Sequence, residues 1–247
     1  MTATRLIAAT DKLTATCEQL TFGAPITHTY HPLRYARRAH NKYLRQFGDG
    51  TKRTLFWGMN PGPWGMTQTG VPFGEVAAVR DWMKICEAPQ QQPDTHPARP
   101  ILGFDCPRSE VSGRRLWDLF AQEYKTAAAF FSDHLVLNYC PLLFLSAEGK
   151  RCTNITPDKL SPAEKTPLFE ACDIFLRRVV DILQPQYLIG VGGFAETRLL
   201  TLFSDSDITI GKILHPSPAN PAANRGFATT ATAQLQTLGV WQTPTQY

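Results

Sequence analysis

Four short apolar runs, Thr54–Met59, Leu135–Tyr139, Tyr187–Val191 and Ile208–Leu214, constrain what this chain can fold into more than any other feature. They are close to continuously apolar rather than alternating, the pattern of strands buried on both faces. Within two residues of its end each meets Gly, Pro or Asn, which stop a strand. Helical periodicity fills the intervals, at Gly113–Tyr124 and at Pro162–Leu183, where Leu168, Cys172, Phe175, Leu176, Val179 and Leu183 share a face. Strands alternating with helices predict a parallel sheet covered on both sides, a three-layer α/β/α sandwich. A single domain over residues 1–247 is the simplest reading, with Ala88–Pro100 as a surface loop.

The rest of the chain narrows the function classes. Leu6, Ile7, Leu13, Cys17 and Leu20 recur at helical spacing, and a second helix is expected from Leu33 to Phe47. The second carries Arg34, Arg37, Arg38, Lys42 and Arg45, either a solvated face or a phosphate-binding one. With 43% hydrophobic and 19% charged residues the chain has a core to bury and no signature of disorder. A net charge of +4 permits a polyanionic partner without requiring one. The six cysteines show no Cys-x-x-Cys spacing, so free thiols in a reducing compartment are expected. Asp11, Lys12 and Glu18 interrupt the N-terminal apolar residues, against a signal peptide or membrane span. The expected location is inside the cell, in the cytoplasm or nucleoid of a bacterium or the nucleus of a eukaryote.

In an open parallel sheet, ligands bind beyond the carboxyl ends of the strands. Three of the four runs lead into polar loops there: Asn60-Pro61-Gly62-Pro63, Asn138-Tyr139-Cys140-Pro141 and His215-Pro216-Ser217-Pro218. The first continues to Val76 and is rich in Gly and Pro. Asn-Pro-Gly alone is common turn chemistry, but a long loop of this composition is costly to order and is usually functional. In the third, prolines fix the path after His215, and Ser217, Asn220, Asn224 and Arg225 offer donors suited to phosphate.

These blocks carry a resemblance. Gly58–Val76, Cys106–Gly113, Asn138–Leu142, Val191–Glu196 and His215–Gly226 occur in the order found in the single-strand-selective monofunctional uracil-DNA glycosylases, and the likeness spreads over nearly the whole chain. The resemblance implies a four-stranded parallel sheet between helix layers and hydrolysis of the bond joining uracil to deoxyribose, in single- and double-stranded DNA. It implies a monomer that needs no metal or organic cofactor. It assigns Asn138 to reading the flipped base, Phe73 to stacking on it, and Met59 and Gly62 to lining its pocket. His215 is the implied donor to uracil O2, and Asn60 the implied holder of the attacking water. Gly62 stands where the most uracil-specific relatives have a tyrosine, so space beside C5 and acceptance of 5-hydroxymethyluracil are expected. Pro218, Ala219, Asn220, Asn224 and Arg225 belong to the implied wedge into DNA. Ala219 replaces an arginine common in relatives, predicting a smaller plug. Two alternatives stay open: a superfamily enzyme acting on xanthine or hypoxanthine, and a catalytically silent DNA-binding module.

Overall fold

The computed structural model describes residues 1–92, 94–148 and 151–242; the expected domain's last five residues and Pro93 of the expected surface loop lie outside the described residues. Helix α1 (Thr2–Cys17) leads through β1 (His28–Tyr30), α2 (Pro32–Tyr35) and α3 (Arg37–Phe47) to the central strand β2 (Thr54–Gly58). The motif loop that follows contains a short helix, α4 (Met66–Thr69). Then come α5 (Val111–Tyr124), α6 (Ala127–Asp133), β3 (His134–Asn138), β4 (Leu143–Glu148), β5 (Arg151–Ile155), α7 (Pro162–Leu183), β6 (Tyr187–Val191), α8 (Gly193–Phe203), β7 (Thr209–Ile213) and α9 (Pro221–Thr237).

Strands β3, β2, β6 and β7 pair in that order, all parallel, as the four apolar runs predict. Phe56 and Trp57 at the centre of β2 are fully buried, which is why the run carries no polar alternation. Helices cover both faces, giving the three-layer α/β/α sandwich: α1 packs on α3 and α7, α5 on α6 and α9. One continuous apolar core runs from Leu6 to Trp241. The α7 start is fixed by sequence, since Ser161 and Glu164 form a capping box and Pro162 occupies the first turn.

From β2 the chain passes to β3 on one side and then returns to β6 on the other, so a crevice opens beyond the carboxyl end of β2. The register sets Gly58 directly beside Asn138, and the pairing continues past the strands through Tyr139 N–H to Gly58 O at 2.9 Å and Cys140 N–H to Met59 O at 2.8 Å.

Two features differ from expectation. A second, antiparallel sheet of β1, β4 and β5 flanks the crevice, over a small cluster of Tyr30, Tyr35, Ala36, Leu143 and Leu145. The helix expected from Leu33 to Phe47 is broken at Ala36, whose φ of −103° and ψ of 25° leave the helical range. Both halves are tied to the motif loop, Tyr35 hydroxyl to Thr67 O at 2.7 Å and His40 Nδ1 to Gly70 O at 2.9 Å, and one straight helix would not serve both contacts. All six cysteines carry free thiols. No described helix is long and apolar enough to cross a membrane.

Candidate active site

One cavity of about 360 Å³ gathers Met59, Asn60, Gly62, Phe73, Asn138 and His215, together with Met66, Glu110, Ser112, Asn154, Thr156 and Ser217. Size does not single it out. Hollows of about 660 Å³ between α1 and α7 and about 780 Å³ over the basic side of α3 are larger, but neither collects side chains from several strand ends.

Asn60 leaves β2 with its amide already oriented. Nδ2 donates to Leu142 O at 3.2 Å, so Oδ1 is the end left to act as an acceptor. Asn138, the last residue of β3, is 7% exposed. Its Nδ2 donates to Met66 Sδ at 3.2 Å, while its Oδ1 is buried and has no donor among the described residues. An orphaned buried acceptor costs about 1–3 kcal/mol, so the arrangement favours a ligand that brings an N–H.

Phe73 is held by its backbone. It adopts φ of +52°, and its carbonyl accepts from Trp117 Nε1 at 3.0 Å and Glu75 N–H at 2.7 Å. The ring lies over the end of β2: a Cβ at Gly58 would fall within 2.5 Å of Phe73 Cε2 and closer still to Asn138 Oδ1. Only glycine admits both groups at that position.

His215 follows β7 and stands 6.3 Å, centroid to centroid, from Phe73. Its Nδ1 accepts Ser217 N–H at 3.1 Å, which places the ring proton of neutral imidazole on Nε2. Burial holds the His215 pKa below the usual imidazole value, so the ring is neutral near pH 7.

Gly62 lines the cavity, but the space beside it is not empty. A Cβ there would lie 2.5 Å from Glu110 Oε2, so any larger residue would displace this carboxylate from its present position. Glu110 Oε2 accepts Trp64 N–H at 3.1 Å. Burial pushes its pKa up, partly offset by that amide. Among the described residues it is the only acidic side chain lining the cavity.

The His215–Gly226 loop is braced from within. Asn220 caps α9 through Ala222 N–H at 3.1 Å and donates to His215 O at 3.2 Å. Asn224 donates to Pro218 O at 2.8 Å and accepts from Arg115, whose other terminal nitrogen donates to Pro216 O at 3.0 Å. These contacts employ Asn220 and Asn224 within the loop; Pro218, Ala219, Asn224 and Arg225 are exposed. The long motif loop is ordered by Gln68, whose amide donates to Pro63 O and Pro100 O and accepts from Leu102 and Gly103 N–H. Sequence reasoning passed over Gln68, Met66, Glu110 and Arg115. The last two lie in or beside the Cys106–Gly113 block, the one signal that could have found them.

The set of two asparagines, a phenylalanine and a histidine on the loops of a parallel sheet defines a class. The model of the uracil DNA glycosylase superfamily matches residues 45–236. Over 231 residues the chain is 42% identical to the rat single-strand selective monofunctional uracil-DNA glycosylase, covering 93% of this chain and 82% of the relative. Identity to the bovine protein of that description is 41% over 224 residues, 90% of this chain and 81% of the relative. The crystal structure of SMUG2 from Pedobacter heparinus superposes with a TM-score of 0.66 at 18% identity, covering 94% of this chain and 99% of that one, a likeness of fold. The chain belongs to the uracil-DNA glycosylase superfamily and, within it, to the single-strand-selective monofunctional uracil-DNA glycosylase family.

Proposed function

We propose that this protein hydrolyses the N-glycosidic bond of uracil in single- and double-stranded DNA, as a monofunctional glycosylase of base excision repair. The observation that carries the reading is the unpartnered Oδ1 of Asn138, buried in the cavity that also holds His215 and Asn60. A uracil flipped out of its stack supplies the missing donor with N3–H, and its O4 accepts from Nδ2. Phe73 covers the ring face. As the bond breaks, positive charge builds on the sugar and negative charge on O2, where the Nε2–H of His215 stabilises it. Asn60 Oδ1 accepts a hydrogen bond from the attacking water. An amide is a weak base, so leaving-group stabilisation carries most of the acceleration. Among the described residues that line the cavity there is no lysine, which supports hydrolysis to an abasic site rather than a Schiff-base route.

A 5-hydroxymethyl arm directed towards Gly62 meets the Glu110 carboxylate and can donate to it, whereas a methyl group there desolvates a charge without replacing its hydrogen bonds. Excision of 5-hydroxymethyluracil but not thymine is therefore expected. The test is an oligonucleotide panel bearing uracil, 5-hydroxymethyluracil, thymine, xanthine and hypoxanthine, assayed with wild type and Asn60→Ala. Release of the first two, much slowed in the variant, is the expected result. Preference for the purines, or no release at all, would overturn the assignment.

The bracing of the wedge gives a second expectation. Arg115→Ala removes the donors to Pro216 O and Asn224 and should lower kcat/KM on duplex uracil substrate roughly tenfold, the order of one charge-assisted hydrogen bond. Single-stranded substrate, which offers no gap to fill, should lose less. Steady-state rates on the two substrates check this.

A further inference from the structure

An asparagine that reads a pyrimidine is ambiguous, because turning its amide over exchanges the pattern that fits uracil for the pattern that fits cytosine. Something must fix which end is which. The side chain in contact with the Asn138 amide is Met66, 2% exposed at the start of α4, with Sδ 3.2 Å from Nδ2. A thioether accepts weakly and donates nothing. Facing it, the NH2 end gains a hydrogen bond, whereas the oxygen would meet sulfur lone pairs. A hydroxyl, an amide or a trapped water in the same place can both donate and accept, and would tolerate either orientation.

We propose that Met66 is the positioning residue that sets the orientation of Asn138, and so a determinant of uracil-over-cytosine selectivity; this rests on the base-reading role given to Asn138 above. One amide hydrogen is spent on sulfur. The other, with Oδ1, makes a donor–acceptor edge that matches O4 and N3–H of uracil and opposes N4–H2 and N3 of cytosine. The orphaned Oδ1 is the free-enzyme face of the same device: the orientation held by sulfur keeps an acceptor waiting for a base that donates.

The test is Met66→Leu, close in volume and lacking the acceptor, so the fold is expected to persist. Uracil excision should fall roughly fivefold, the order of one neutral hydrogen bond, and inhibition by free uracil should weaken while that by free cytosine strengthens. Met66→Gln, whose amide serves either orientation, should show the same loss of selectivity. In an Asn138→Asp background, where no N–H faces position 66, Met66→Leu should have no further effect. Equal losses for both bases, or the same fold-change in both backgrounds, would show that Met66 only packs and would overturn the proposal. Wild-type uracil excision by Asn138→Asp alone would instead remove the base-reading role itself, and with it the ground for the proposal.

Discussion

Replacing His215 with alanine is expected to slow uracil release about 100- to 1000-fold, the usual consequence of deleting one donor aimed at a developing oxyanion. The size of the loss follows from the tautomer. Ser217 N–H occupies Nδ1, so the only ring hydrogen sits on Nε2, which has no protein acceptor among the described residues. The effect should fall on kcat more than on KM, since the donor gains strength only as charge reaches O2. The pH dependence carries a sign as well. Burial lowers the His215 pKa, so on acidification the folded ring takes up its proton at lower pH than an ordinary imidazole. In a wild-type kcat profile, the midpoint of any acid limb due to His215 should therefore lie below about pH 6.5, the unperturbed histidine value. Stability follows the same linkage: the unfolded chain takes up a proton that the folded ring resists, so the His215 contribution is lost as pH falls. Rate measurements across pH with wild type and His215→Ala, together with the imidazole titration followed by NMR, check both parts. Loss of less than tenfold on alanine substitution would remove His215 from the chemistry.

How much of this is visible in a sequence depends on how local its cause is. The central sheet was legible because burial on both faces writes itself into each run: Tyr187–Val191 coincides with β6, and the other three runs agree to within a residue at each end. Convergence of Asn60, Asn138 and His215 followed from strand direction alone. Strand β5 was not legible, since Cys152, Thr153 and Asn154 have no apolar alternation and become a strand by pairing with β4. Yet β5 and the residues after it bring Asn154 and Thr156 to the cavity wall. The break at Ala36 depends on contacts to Thr67 and Gly70, some thirty residues away. The hydrogen bond from Arg115 to Asn224 was not legible either, because the two residues are distant in sequence. Buried polar residues such as Gln68 hide for the same reason: a glutamine between two threonines reads as surface until the four backbone groups it satisfies are seen.

Gly58→Ala should be nearly as damaging as loss of His215, although residue 58 brings no chemical group to the site. The added Cβ would lie within 2.5 Å of the Phe73 ring and closer to Asn138 Oδ1. Neither neighbour can retreat freely. Asn138 is fixed in register opposite Gly58 and tied to Met66, while the Phe73 carbonyl is pinned by Trp117 and Glu75. Strand β2 is itself the buried centre of the sheet, with Phe56 and Trp57 fully enclosed, so its backbone cannot shift away. The strain must then be met by turning the Phe73 ring or the Asn138 amide out of place. A displacement near 1 Å at such a site costs on the order of 100-fold in rate. With Phe73 and Asn138 proposed to grip the base before any bond breaks, the loss should appear in KM as well as kcat, unlike that of His215→Ala. Free uracil should also cease to inhibit. Stopped-flow and steady-state measurements on a uracil oligonucleotide, with circular dichroism to show that the sheet persists, separate the outcomes. A folded Gly58→Ala enzyme with wild-type KM would mean that Phe73 and Asn138 do not jointly hold the base, and the geometry assigned to the pocket would have to be redrawn from its floor.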